Sequence, residues 1–256
     1  SSNTNGDALP PDAQEITFTA SDGTELSGLY YPPANGPAPV VILMHQSNNN
    51  QSVWRVIAPW LQNRGLPTET VPAAWLDASW FPVVPENIDV GVFTFTYRGC
   101  GTTGCQSVNN GEGWQLDALA ALETAAALPN ADPTRLITFG TSIGSDAAVD
   151  GCLAYRELHG GGCIAAITLS PDSYLNLDYT ETATQITTGE NPGILWCIAS
   201  EEDWPNSDNC RSITDSVYYR SVIYPDDAHG IEMITPDHEP SPLQLLLEIL
   251  NSIIGE

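Results

Sequence analysis

The sequence contains no lysine. Seven arginines stand against 32 acidic residues, giving a formal net charge of −25 over 256 residues. A surface so short of cations cannot neutralise a phosphate backbone, which argues against nucleic acid as a partner, and it is repelled by an anionic lipid surface for the same reason. Long apolar runs are missing as well: none approaches the roughly 18 residues that a membrane-spanning helix needs. There is no C-x-x-C pair, so the common zinc and dithiol patterns are absent, and no metal or cofactor is expected.

What remains is the composition of a folded enzyme or binding domain. Apolar residues make up 42% and charged residues 15% of the chain, which fits a globular core and excludes a disordered or fibrous protein. The length suits a single α/β unit. The acidic surface would stay soluble in high salt, as in a saline habitat, but an ordinary acidic exported protein has the same character. Six cysteines, Cys100, Cys105, Cys152, Cys163, Cys197 and Cys210, admit 15 complete pairings. The simplest pairs chain neighbours, 100 with 105, 152 with 163 and 197 with 210, and implies an oxidising, extracytoplasmic setting. The polar start of the chain, residues 1–14, reads as a flexible leader, left by export processing or lying behind a lipid anchor. The domain proper is expected over residues 15–256.

Apolar and polar residues alternate over Glu15 to Ala20 and Glu25 to Tyr31 around Asp22-Gly23, the pattern of a β-hairpin. The continuous apolar run Val40 to Met44 reads as a strand buried on both faces, and Val90 to Tyr97, Arg135 to Phe139, Cys163 to Leu169, Ile194 to Ala199 and Ser221 to Tyr224 read as further strands. Helical spacing over Trp54 to Gln62, Trp114 to Leu128, Ile143 to about Leu158 and Pro242 to Ile254 fills most of the intervals. Strands alternating with helices imply a mostly parallel sheet covered on both faces. Residues 66–87 carry four prolines and no clear period, as a lid-like insertion would. Its Trp75, Trp80 and Phe81 are candidate substrate contacts, or equally aromatics that pack the loop down.

Gly140-Thr141-Ser142-Ile143-Gly144 lies between a strand and a helix. A turn this sharp needs glycines beside the serine, lifts the hydroxyl clear of the sheet and points a helix N-terminus at the reacting oxygen. A serine hydroxyl is a weak nucleophile without a base, and the base needs an acid to hold its tautomer. Of the histidines after Ser142, only His229 follows a strand directly; His159 lies in a glycine-rich turn and His238 among prolines. The carboxylates at Ser200-Glu201-Glu202-Asp203 sit at a strand's carboxyl end, where open α/β sheets keep their sites. Asp203 is the candidate acid and Glu202 the alternative.

These segments, with Val40 to Gln46, Tyr97-Arg98-Gly99-Cys100-Gly101 and Asp132-Pro133-Thr134-Arg135, resemble the α/β-hydrolase superfamily, and within it the dienelactone-hydrolase-like esterases. The resemblance implies an α/β-hydrolase fold with Ser142 as nucleophile, Asp203 as acid and His229 as base. It also implies an oxyanion hole formed by the backbone N–H of Ile143 and that of Ser47, with Gln46 as the alternative donor, while His45 plays a structural part. The implied activity is hydrolysis of a small-molecule carboxylic ester. A peptidase or acyltransferase would use the same triad, and a non-catalytic binding domain could share the scaffold. Dehalogenase relatives carry an aspartate where this chain has Ser142. Oligomeric state is not legible.

Overall fold

In a computed structural model, which describes residues 12–65, 78–106, 110–213 and 216–254, β3 (Ala38–Met44) runs through the middle of the sheet and is buried along its whole length. Val40, Ile42 and Met44 face one core cluster, whereas Val41 and Leu43 face the other. The period of two therefore persists within a run that is apolar throughout, because helices cover both faces.

The sheet has eight strands in the order β1-β2-β4-β3-β7-β8-β9-β10. β1 (Gln14–Thr19) and β2 (Glu25–Tyr31) form the expected antiparallel hairpin, turned at Gly23 with φ +90°, and β2 pairs antiparallel with β4 (Gly91–Thr96). From β4 onward all pairings are parallel, through β7 (Ala131–Thr141), β8 (Cys163–Leu169), β9 (Ile194–Ser200) and β10 (Tyr219–Tyr224). The short β5 (Cys100–Gly101) and β6 (Gly104–Cys105) make a separate ribbon closed by the Cys100–Cys105 disulfide. Cys152–Cys163 and Cys197–Cys210 complete the neighbour pairing. Disulfides persist in oxidising compartments. No helix among the described residues is long and apolar enough to cross a membrane.

Helices α2 (Gly111–Ala127), α3 (Ile143–His159) and α4 (Tyr179–Thr187) cover the face bearing Val40 and Ile42. On the opposite face lie α1 (Ile57–Leu61) and the amphipathic α6 (Pro242–Ile254), which contributes Leu243, Leu246, Ile249 and Leu250. Gly151 lets α2 and α3 approach closely, since a Cβ there would stand 3.1 Å from that of Ala118.

Four elements differ from the sequence reading. The helix expected over Trp54 to Gln62 is a 3-10 turn at Gln51–Arg55 followed by α1, because Pro59 lacks the N–H that a continuous helix would bond to Arg55. β7 begins four residues before Arg135, with a register shift between its pairings at Ala131 and Leu136. Two helices went unread: α4, a threonine-rich segment capped by Asp178, which accepts from the Glu181 N–H at 2.9 Å, and the polar α5 (Asn206–Ser212).

With so few cations, several carboxylates are satisfied without one. Asp146 accepts backbone N–H bonds from Asp172 (3.0 Å), Tyr174 and Leu175 (3.4 Å), and Asp150, one turn on, accepts from Gln115 Nε2 at 2.9 Å. Burial pushes Asp146 well above the usual carboxylate range, helped by the Asp150 charge, and raises Asp150 from 3.8 to about 6. A carboxyl whose folded pKa is raised binds its proton more tightly folded than unfolded, so its stabilising effect is complete below about pH 4 and lost as pH rises through about 6. Urea denaturation between pH 4 and 7 should show Asp150→Asn losing less stability than wild type over that interval, by about 2 kcal/mol; parallel curves would contradict the assignment.

Candidate active site

The carboxyl ends of β7, β8, β9 and β10 present a serine, a serine, an aspartate and a histidine in turn. Ser142 occupies the junction of β7 and α3 with φ +53° and ψ −121°, a region that costs a non-glycine residue about 1–3 kcal/mol. The turn is held by want of space: a Cβ at Gly140 would lie 1.9 Å from the Gly144 carbonyl oxygen, and one at Gly144 would lie 2.3 Å from that of Met44. Beneath it, the Ser142 N–H donates to Leu169 O at 2.8 Å. Ser145 Oγ lies 2.7 Å from Leu169 O and 3.0 Å from Gly140 O, and accepts from Leu169 N–H at 2.9 Å. Ser142 itself is 6% exposed.

Asp203 follows β9, and both of its oxygens lie 3.0 Å from His229 Nδ1. Glu202, the alternative acid, is exposed on the surface; its backbone N–H donates to Asp226 O at 2.9 Å and ties the acid loop to the histidine loop. The Cys197–Cys210 bridge links β9 to α5, on either side of Asp203 in the chain. After His229 the chain turns at Gly230 with φ +58°, and a Cβ there would stand 3.5 Å from the Cβ of Thr141, the neighbour of Ser142. The loop that bears the imidazole is thus packed against the turn that bears the hydroxyl.

The remaining histidines are engaged elsewhere. His45 is fully buried, its Nδ1 donating to Gln46 O at 2.8 Å and its Nε2 accepting from Tyr97 N–H at 3.2 Å; burial lowers its pKa from 6.5 to about 4, so the ring is neutral. His238 stacks on Tyr224 at 3.9 Å and bonds Met233 O and Asp226, while His159 at the end of α3 stands 3.7 Å from Glu123.

The turn after β3 contains Gln46 and Ser47. Ser47 O accepts from Cys105 N–H at 2.7 Å, and Gly104 packs against Ser47 and Asn48 so closely that a Cβ would lie 2.7 Å from either, so the Cys100–Cys105 ribbon braces this turn. The Gln46 side chain points away from solvent into the histidine loop. The first N–H groups of α3, beginning at Ile143, lack acceptors within the helix. Of the candidate substrate contacts, Phe81 packs against Trp60 with ring centroids 5.8 Å apart, Trp80 lies against the same core cluster, and Trp75 lies outside the described residues. Two residues of this region were not singled out beforehand: Ser145, and Ser170 at the end of β8, whose position between a buried strand and Pro171 was the available signal. Among the described residues, no group of three or more His, Cys, Asp or Glu side chains is placed to hold a metal.

The solved structures to which the chain is similar agree on architecture. The uncharacterized protein YfhR of Salmonella typhimurium is 28% identical over 187 residues, 70% of this chain and 55% of its own, so the chain spans about half the length of that relative. No protein-family model matches. An esterase of Pyrococcus furiosus superposes with a TM-score of 0.62 at 15% identity, covering 94% of this chain and 91% of that one. Dienelactone hydrolase from Anabaena variabilis gives 0.59 at 15% identity, covering 96% and 97%. The chain has the α/β-hydrolase fold.

Gly140→Ala should cost more than about 4 kcal/mol, since its methyl group meets backbone rather than a movable side chain. Thermal unfolding measures this, and a variant melting with wild type would contradict the packing described.

Proposed function

We propose that the protein is a serine hydrolase that cleaves carboxylic esters through Ser142, His229 and Asp203. The observation that carries this reading is His229 Nδ1 held 3.0 Å from both Asp203 oxygens, on a loop packed against the Ser142 turn. The carboxylate fixes the tautomer with hydrogen on Nδ1, leaving the Nε2 lone pair free to take a proton.

In the first half-reaction Ser142 Oγ bonds to the acyl carbon as its proton passes to Nε2. The carbonyl oxygen becomes an oxyanion, stabilised by the Ile143 N–H at the positive end of α3 and by the Ser47 N–H, with Gln46 as the alternative donor. Collapse breaks the bond to the alcohol oxygen, which takes the proton from Nε2. Water then attacks the acyl-enzyme, giving its proton to Nε2, and Ser142 recovers that proton as the acid leaves. No cofactor enters any step. The three disulfides and the acidic surface favour a secreted, periplasmic or surface-anchored enzyme.

A panel of p-nitrophenyl esters of rising chain length tests the reading. Ser142→Ala should abolish turnover, and Asp203→Asn should lower kcat by about 10⁴-fold with the fold intact. Undiminished hydrolysis by Ser142→Ala would overturn the proposal.

A further inference from the structure

Asp203 fixes the imidazole of His229 from one side, but a ring is only as well placed as its backbone. The two N–H groups that follow His229 along the chain are both taken by side chains from other strand ends. Gly230 N–H donates to Ser170 Oγ at 2.8 Å, and Ile231 N–H donates to Gln46 Oε1 at 2.9 Å. Both acceptors are buried, Gln46 at 5% and Ser170 at 0% exposure. Each is itself oriented. Gln46 Nε2 donates to Asn48 Oδ1 at 2.8 Å, which leaves Oε1 facing the loop. Ser170 holds φ +58°, and its own N–H donates to Ile198 O at 2.9 Å. Gly230 completes the fit, since a Cβ there would lie 2.3 Å from Gln46 Oε1.

From this geometry we infer that Gln46 and Ser170 are positioning residues that hold the His229 loop in register with Ser142. Gln46 has the further property of belonging to the turn that carries Ser47, so one side chain joins the oxyanion side of the site to the base. The inference rests on the proposed hydrolase reading for its catalytic meaning, though the two hydrogen bonds exist independently of it. Buried acceptors of this kind are costly to remove, because the backbone N–H left behind has no water to replace them.

The decisive pair of variants is Gln46→Met, which keeps length and removes the acceptor, and Gln46→Glu, which keeps an acceptor for Ile231 while adding a charge and giving up the donor to Asn48 Oδ1. In Gln46→Met, kcat toward p-nitrophenyl esters should fall about 10 to 100-fold with KM nearly unchanged, as expected when a reacting group is misplaced by up to 1 Å. Gln46→Glu should recover most of that loss. Amide hydrogen exchange at Ile231 should quicken in Gln46→Met alone. Wild-type kcat with unchanged Ile231 exchange in Gln46→Met would overturn the inference. If the wild-type protein hydrolyses no ester, the hydrolase reading fails by itself, and Ile231 exchange with the imidazole resonances of His229 in Gln46→Met still decides whether Gln46 holds the loop.

Discussion

The space between β7 and α3 is too small for a side chain, and the rest of the site is built around that shortage. Because a methyl group at residue 140 would overlap the carbonyl oxygen of residue 144, and one at 144 would overlap that of Met44, the chain can pass from strand to helix only by one tight route. Ser142 lies on that route and must accept an unfavourable φ. The strain is offset beneath the turn by Ser145, which closes the gap between the Gly140 and Leu169 carbonyl groups, and by the bond from Ser142 N–H to Leu169 O. Neighbouring β8 is therefore part of the machinery that sets the serine, and its next residue, Ser170, reaches the histidine loop. Position at one strand end is passed to the next through serine hydroxyls and the main-chain groups they bond.

The same economy governs charge. A chain with seven cations cannot pair 32 carboxylates, and where it buries them it uses backbone and amide donors instead. Asp146 takes three N–H groups of the loop after β8, so the helix that starts at Ser142 also organises the segment beside Ser170. One arginine does enter the interior. Arg98 spans from Asp22 in the hairpin turn to the buried Asp117 of α2, whose carboxylate also accepts the Arg98 N–H at 2.8 Å. That pair joins the antiparallel edge of the sheet to the helical layer, and it explains why Tyr97-Arg98-Gly99 stands out in the sequence for structural reasons.

Much of this was legible beforehand, and the reasons are local. β3 is apolar throughout, and β8 apart from Thr168, because both faces are covered; Gly140 and Gly144 flank a serine because nothing larger fits, and chain-neighbour cysteines are 5, 11 and 13 residues apart. α4 and α5 escaped because threonine, asparagine and serine have weak helical propensity, and tertiary packing decides their state; the Asp178–Glu181 cap was the one sign available. The extension of β7 to Ala131 was hidden by Pro133. The bond from Gln46 to Ile231 spans 185 residues, and no period or motif announces a contact at that range.

The central claim is that Ser142, His229 and Asp203 act as one unit with donors at Ile143 and Ser47. A crystal structure of the wild-type enzyme after reaction with a fluorophosphonate tests it most directly. The expected adduct has phosphorus bonded to Ser142 Oγ, its oxygen within hydrogen-bonding distance of the Ile143 and Ser47 N–H groups, and the His229 imidazole beside it. An adduct on another residue, or an imidazole turned away from Asp203 and out of reach of Ser142, would contradict it.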